Sequence, residues 1–121
     1  MADVTLKRLE EFPAYGKGVF VAIRDELGIS SFGINIERWP PNATNHPEHD
    51  ELDSGQEEVY IVLEGAGLLV VDGEEHQLVE NLFVRVGPSE RRKLLAGPNG
   101  LTVLCLGAVP GSEYRPSGST A

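Results

Sequence analysis

Four short strand-like runs, at 57–63, 67–72, 75–79 and 82–86, follow one another with almost no chain between them. Their connections are EGAG, DGEE and VEN. Each carries glycine, aspartate or asparagine, the residues that enter antiparallel turns at little steric cost. No helix fits between runs so closely spaced, so this part of the chain can only build antiparallel sheet. ISSFGINIERW (29–39) reads as an earlier strand, stopped by Pro40-Pro41-Asn42 and followed by a long polar loop to about Gly55. RRKLLA and LTVLCLGA read as a further strand pair joined by Gly97-Pro98-Asn99-Gly100. VTLKRL (4–9) alternates and reads as an opening strand. FVAIRDELG (20–28) has a short apolar stripe ending in glycine, the pattern of a turn or two of helix. Many short strands with little helix predict an all-β sandwich or barrel.

Composition narrows the possible partners. A chain of 121 residues, 40% of them hydrophobic, is long enough for one domain around a single core. No apolar run approaches the ~20 residues of a membrane helix. MADVTLKRLEEF lacks the basic segment and apolar core of a signal peptide, so a cytoplasmic location is expected. The formal charge of −9 speaks against nucleic acid and against an anionic membrane. The basic cluster Arg91-Arg92-Lys93 is too short for a nucleic-acid stripe. Cys105, the single cysteine, sits in LTVLCLG and reads as a small core residue. No phosphate-binding glycine loop is present; Gly65-Ala66-Gly67 reads as a hairpin turn. No histidine has a recognisable serine or cysteine nucleophile as partner. A small molecule, a metal ion or another protein remains.

The run at 57–63 says more. Side chains alternate across a strand, so Glu58, Tyr60 and Val62 share one face while Val59, Ile61 and Leu63 share the other. Both faces are largely apolar, so both call for cover. Glu58 then starts an inward-facing row, and a carboxylate placed there needs a cation or hydrogen-bond donors. His46 and His49 flank Pro47 in the loop before it, where a bend can bring them together. His76, just past a hairpin turn, reads as a surface residue.

These residues resemble the two motifs of the cupins. The first, G-x5-H-x-H-x(3,4)-E-x6-G, falls on Ala43, His49, Glu51, Glu58 and Gly65, with Ala43 in place of glycine, Glu51 in place of histidine and the gap before Glu58 lengthened by the loop sequence LDSGQ. The second, G-x5-P-x-G-x2-H-x3-N, falls on Asn81, Gly87, Pro88, Ser89, Arg92 and Ala96, with most letters changed. The resemblance covers residues 29–108, and within the family the chain looks most like small, single-domain bacterial proteins without assigned activity. It implies a cupin-type double-stranded β-helix (jelly-roll) barrel over 29–109. An N-terminal segment, 1–28, with a short helix packs on it, and an irregular tail covers 110–121.

The usual cupin metal site, three histidines and a glutamate, is broken here: Glu51 and Arg92 stand at two histidine positions. Two arrangements follow. In one, Arg92 occupies the metal's place, pairs with Glu58 or anchors an anionic ligand, and no cofactor is needed. In the other, His49, Glu51 and Glu58 hold a divalent metal as a reduced ligand set. Three function classes correspond: a small-molecule-binding domain using His49, Tyr60 and Arg92; a metal-dependent oxygenase or isomerase; and a non-catalytic structural or regulatory subunit. The first is preferred, with a small, anionic molecule as ligand. The outward row Val59, Ile61 and Leu63 exceeds what the charged segment 1–28 can cover, so a homodimer is expected.

Overall fold

The computed structural model describes residues 2–111 and 114–118. Among these residues, seven strands form one antiparallel sheet folded over on itself: β1 (Ala14–Tyr15), β2 (Phe20–Ala22), β3 (Gly33–Trp39), β4 (Glu57–Val71), β5 (Glu74–Leu78), β6 (Phe83–Val86) and β7 (Arg92–Ala108). Their order is β1-β2-β3-β7-β4-β5, with β6 also paired to β4. The fold is the all-β jelly roll expected from the sequence.

Two long strands organise it. β4 and β7 pair from Glu57 opposite Ala108 to Val71 opposite Arg92, and the register slips between Val62 and Glu64 and between Gly65 and Gly67. At that slip both strands turn a corner, so each serves both layers. The first half of β4 carries β6 at its edge, and its second half carries β5. EGAG and Gly97-Pro98-Asn99-Gly100 are therefore not hairpin turns but bends within continuous strands. Residues that tolerate positive φ suit a bulged bend as well as a chain reversal, and local sequence does not distinguish the two. The corner is also sterically tight. A side chain at Gly65 would collide with the Gly100 carbonyl, and one at Gly67 with the Leu95 carbonyl.

The loop at 40–55 is more ordered than its polarity suggests. Its segment 42–51 runs antiparallel beside the first half of β7 as an irregular edge strand. Asn42 N–H donates to Gly97 O at 2.9 Å, Ala96 N–H to Ala43 O at 3.0 Å, and Glu51 N–H to Pro88 O at 2.9 Å. His49 and Arg92 exchange backbone hydrogen bonds of 3.0 and 2.8 Å.

Between the layers lies the core, including Trp39, Tyr60, Val62, Leu94, Val103 and Cys105. A second cluster, Val21, Ile23 and Ile36, forms outside the barrel, where Phe12 and Leu27 pack with Ile34 and Leu104. Two expectations for the N-terminal region change. VTLKRL is not a strand: Val4 and Leu6 are 68% and 87% exposed, and only a 3-10 turn, Leu9–Glu11, follows. Alternation alone cannot hold a strand without a partner edge. The helix α1 covers only Arg24–Leu27 and ends at Gly28 (φ +75). The preceding Phe20–Ala22 pairs with β3 instead, because an available sheet edge supplies more hydrogen bonds than one further helical turn.

The corner makes a direct prediction. Gly67→Ala should cost about 3 kcal/mol, since the methyl meets backbone rather than a movable side chain. Gly73→Ala, at φ +80 but in open space, should cost about 1–2 kcal/mol. Urea unfolding of the two variants checks the difference, and equal losses would count against a tight corner.

Candidate functional site

The pairing of His49 with Arg92 and the inward row of β4 bring five predicted residues together. Glu58 lies opposite Gly107, where a side chain would collide with Gln56 Oε1. Arg92, the first residue of β7, is 0% exposed. Its Nη2 donates to Glu58 Oε1 at 3.0 Å and its Nη1 to the Glu90 carbonyl at 2.7 Å. Tyr60 Oη donates to the same Glu58 Oε1 at 3.0 Å. Burial, and then the adjacent Glu58 charge, hold the Tyr60 phenol far above its ordinary pKa, so it stays a donor. Glu58 thus has the partners an inward carboxylate requires. Arg92 Nε, also buried, has no hydrogen-bond partner among the described residues.

His49 and Glu51 form the solvent side of the cluster. His49 Nδ1 lies 3.0 Å from the Pro47 carbonyl, which can only accept, so the ring's proton sits there. In the neutral ring Nε2 is then a bare lone pair, 3.6 Å from Glu51 Oε2. His49, Glu51 and Glu58 each bring one ligand atom to within 4.8 Å of the others. Three acceptors so close together call for a shared proton or a cation, and they offer a divalent ion three ligand atoms.

The donor set limits which ion it could hold. A borderline ion that prefers imidazole finds one such group. A harder ion accepts carboxylates, yet Glu58 Oε1 is already engaged by two donors. The guanidinium beside it cannot lose its proton.

Deeper in the barrel a second polar group appears, around Glu37, which the sequence reading does not single out. Alternation along GINIERW places it on the same face as the core residue Trp39, and that was the available signal. Trp39 Nε1 donates to Glu37 Oε1 at 2.9 Å, and Cys105 Sγ lies 3.4 Å from Oε2. Burial pushes the Glu37 carboxyl and the Cys105 thiol upward. His46 is buried as well. Its Nδ1 accepts the Leu94 N–H at 3.1 Å, so the neutral ring carries its proton on Nε2, 3.8 Å from Glu37 Oε1. Its ring packs 5.3 Å from Trp39 and 5.5 Å from His49. His46 is thus turned inward to Glu37 while His49 faces the Glu51–Glu58 cluster.

A cavity of about 750 Å3 opens elsewhere, in the seam between β5 and β6, and is not lined by His49, Tyr60 or Arg92. His76 stands at its mouth, and its side chain is half exposed.

Comparison with solved structures decides the fold family. A cupin protein from Bacteroides fragilis superposes with a TM-score of 0.82 over 100% of this chain and 97% of that one, at 21% identity. This chain has the cupin fold. A sugar phosphate isomerase of the cupin superfamily from Silicibacter pomeroyi matches at 27% identity and a TM-score of 0.65. That match covers 74% of this chain and 57% of the isomerase. An RmlC-like cupin from Desulfovibrio desulfuricans matches at 20% identity and 0.66, over 86% and 95% of the two chains. Neither a protein-family model nor a curated protein matches the sequence. Among the described residues no helix is long and apolar enough to cross a membrane.

Burial makes His46 a source of pH sensitivity. Desolvation, then the charges of His49, Lys93 and Arg92, lower its pKa from 6.5 to about 4. The unfolded chain therefore binds a proton first as pH falls, and His46 contributes stability that is lost between about pH 6.5 and 4. The loss amounts to about 3 kcal/mol. Glu37, shifted upward, acts in the opposite sense over the acid range. Urea unfolding at pH 7 and pH 4.5 should show a steeper decline for the wild type than for His46→Gln. Parallel declines would assign the acid sensitivity to other groups.

Proposed function

We propose that this cupin is a small-molecule-binding domain whose interior positive charge is the Arg92 guanidinium rather than a redox metal. One observation carries the reading: a fully buried guanidinium 3.0 Å from Glu58, the one carboxylate of the family's ligand set. Arg92 supplies to Glu58 the charge and donors that an ion would otherwise supply. The remaining access is past His49 and Glu51, whose side chains are 35% and 21% exposed. For a ligand with an acceptor, such as a carboxylate or phosphate, the attraction there is the positive charge of Arg92, whose buried Nε has no hydrogen-bond partner among the described residues. The sugar phosphate isomerase among the structural relatives supports an anionic class. The second reading, a metal enzyme using His49, Glu51 and Glu58, rests on the spacing of those three groups.

Metal content separates the two. Protein purified without a histidine tag should carry Fe, Ni, Zn and Mn well below one per chain. Stoichiometric metal that survives dialysis and disappears in His49→Ala would overturn the proposal. Arg92→Ala leaves Glu58 without its cation and should cost about 3–5 kcal/mol in denaturant unfolding. A loss under about 1 kcal/mol would mean that the pair contributes little. The double variant Glu51→His with Arg92→His restores three histidines and should gain stoichiometric metal.

We also infer a homodimer. The outer sheet face leaves Leu63 and Phe83 43% and 68% exposed. Phe32, Val59 and Leu106 line a shallow apolar depression on the same face. The N-terminal cluster covers Ile34, Ile36 and Leu104 beside it, not this surface. Burying such a patch against a second copy removes it from water. Light scattering at micromolar concentration should report twice the 13.1 kDa chain mass. A clean monomer would remove the inference.

A further inference from the structure

The seam cavity between β5 and β6 has a chemistry unlike that of the Arg92 cluster. Its interior is aliphatic: Leu69 and Val71 from β4, Val84 and Val86 from β6, and Leu82 from the connection. Its inner wall stands next to the buried ion pair, since Val71 lies opposite Arg92 and Val86 opposite Glu58. Its polar groups sit at the mouth. Across β4 from Leu69, His76 falls on the inward face of β5, with Nε2 3.7 Å from Glu74 Oε2. Glu75 and Glu90 line the rim. The single arginine there, Arg85, donates through Nε to Glu57 Oε1 at 2.9 Å, so its charge is already matched. Arg92 behind the wall is matched by Glu58.

The balance at the mouth is therefore acidic, on a chain already at −9. An apolar interior with an acidic rim selects a molecule whose body is hydrocarbon and whose head is positive. We propose that this seam is a second binding site, for a small organic amine with an apolar body. The hydrocarbon part lies against Leu69, Val84 and Val86, and the ammonium faces Glu75 and Glu90. This proposal does not depend on how Arg92 is used, because no side chain of that cluster lines the cavity.

Three probes of nearly equal shape test it on the full chain by methyl-detected NMR: phenethylamine, 2-phenylethanol and 3-phenylpropionate. The amine should bind most tightly and the acid least. The shifts should centre on Leu69, Val71, Leu82, Val84 and Val86. Val84→Trp, which fills the cavity, should abolish binding. Glu90→Lys, an exposed change that spares the core if the tryptophan variant fails to fold, should weaken the amine by about tenfold or more while sparing the alcohol. Three results would each overturn the proposal: no binding of the amine at millimolar concentration, acid binding equal to or tighter than amine binding, or shifts centred on His49 or on the outer face at Val59 and Leu106.

Discussion

The pairing of β4 with β7 is the constraint on which the molecule depends. Each strand passes through both layers, so their shared corner at Gly65–Gly67 and Ala96–Leu101 sets how the sheet folds over and how far apart its faces stand. The polar residues inherit their places from it. Arg92 enters the barrel because it opposes Val71, Glu58 because it opposes Gly107, and Cys105 because it opposes Tyr60. His49 is held by its backbone bonds to Arg92, so the edge segment 42–51 takes its position from the same strand.

Inside this frame, charge is handled in two ways. Around Glu58 it is kept and compensated: a guanidinium and a phenol converge on one carboxylate oxygen. Around Glu37 burial works against charge, pushing the carboxyl upward and the His46 imidazole downward, while that ring spends one nitrogen on the Leu94 amide. Low dielectric makes an unpaired charge costly in either place, so both groups stiffen the barrel as well as equipping it. The His46 ring, packed between Trp39 and His49, connects them.

A cupin barrel hosts many chemistries, and likeness of fold at 21% identity does not choose among them. The choice lies in the side chains: an imidazole beside two carboxylates, a guanidinium in the interior, and an apolar seam that none of these groups lines.

Much of this was legible in the chain. Tight spacing of strand-like runs dictated antiparallel sheet, and alternation in EVYIVLEG placed Glu58, Tyr60 and Val62 inward. The resemblance to the cupin motifs implied one site for His49, Glu51, Glu58 and Arg92. Turn spacing and strand alternation are local or periodic properties, which a sequence carries directly. What it did not carry was pairing. Whether EGAG reverses the chain or bends it, whether VTLKRL finds an edge, and which way His46 turns depend on partners 30 to 50 residues distant, such as Leu94 for His46. The tertiary structure alone decided those, because hydrogen bonds and burial between distant segments outweigh the small energies by which local sequence prefers one conformation to another.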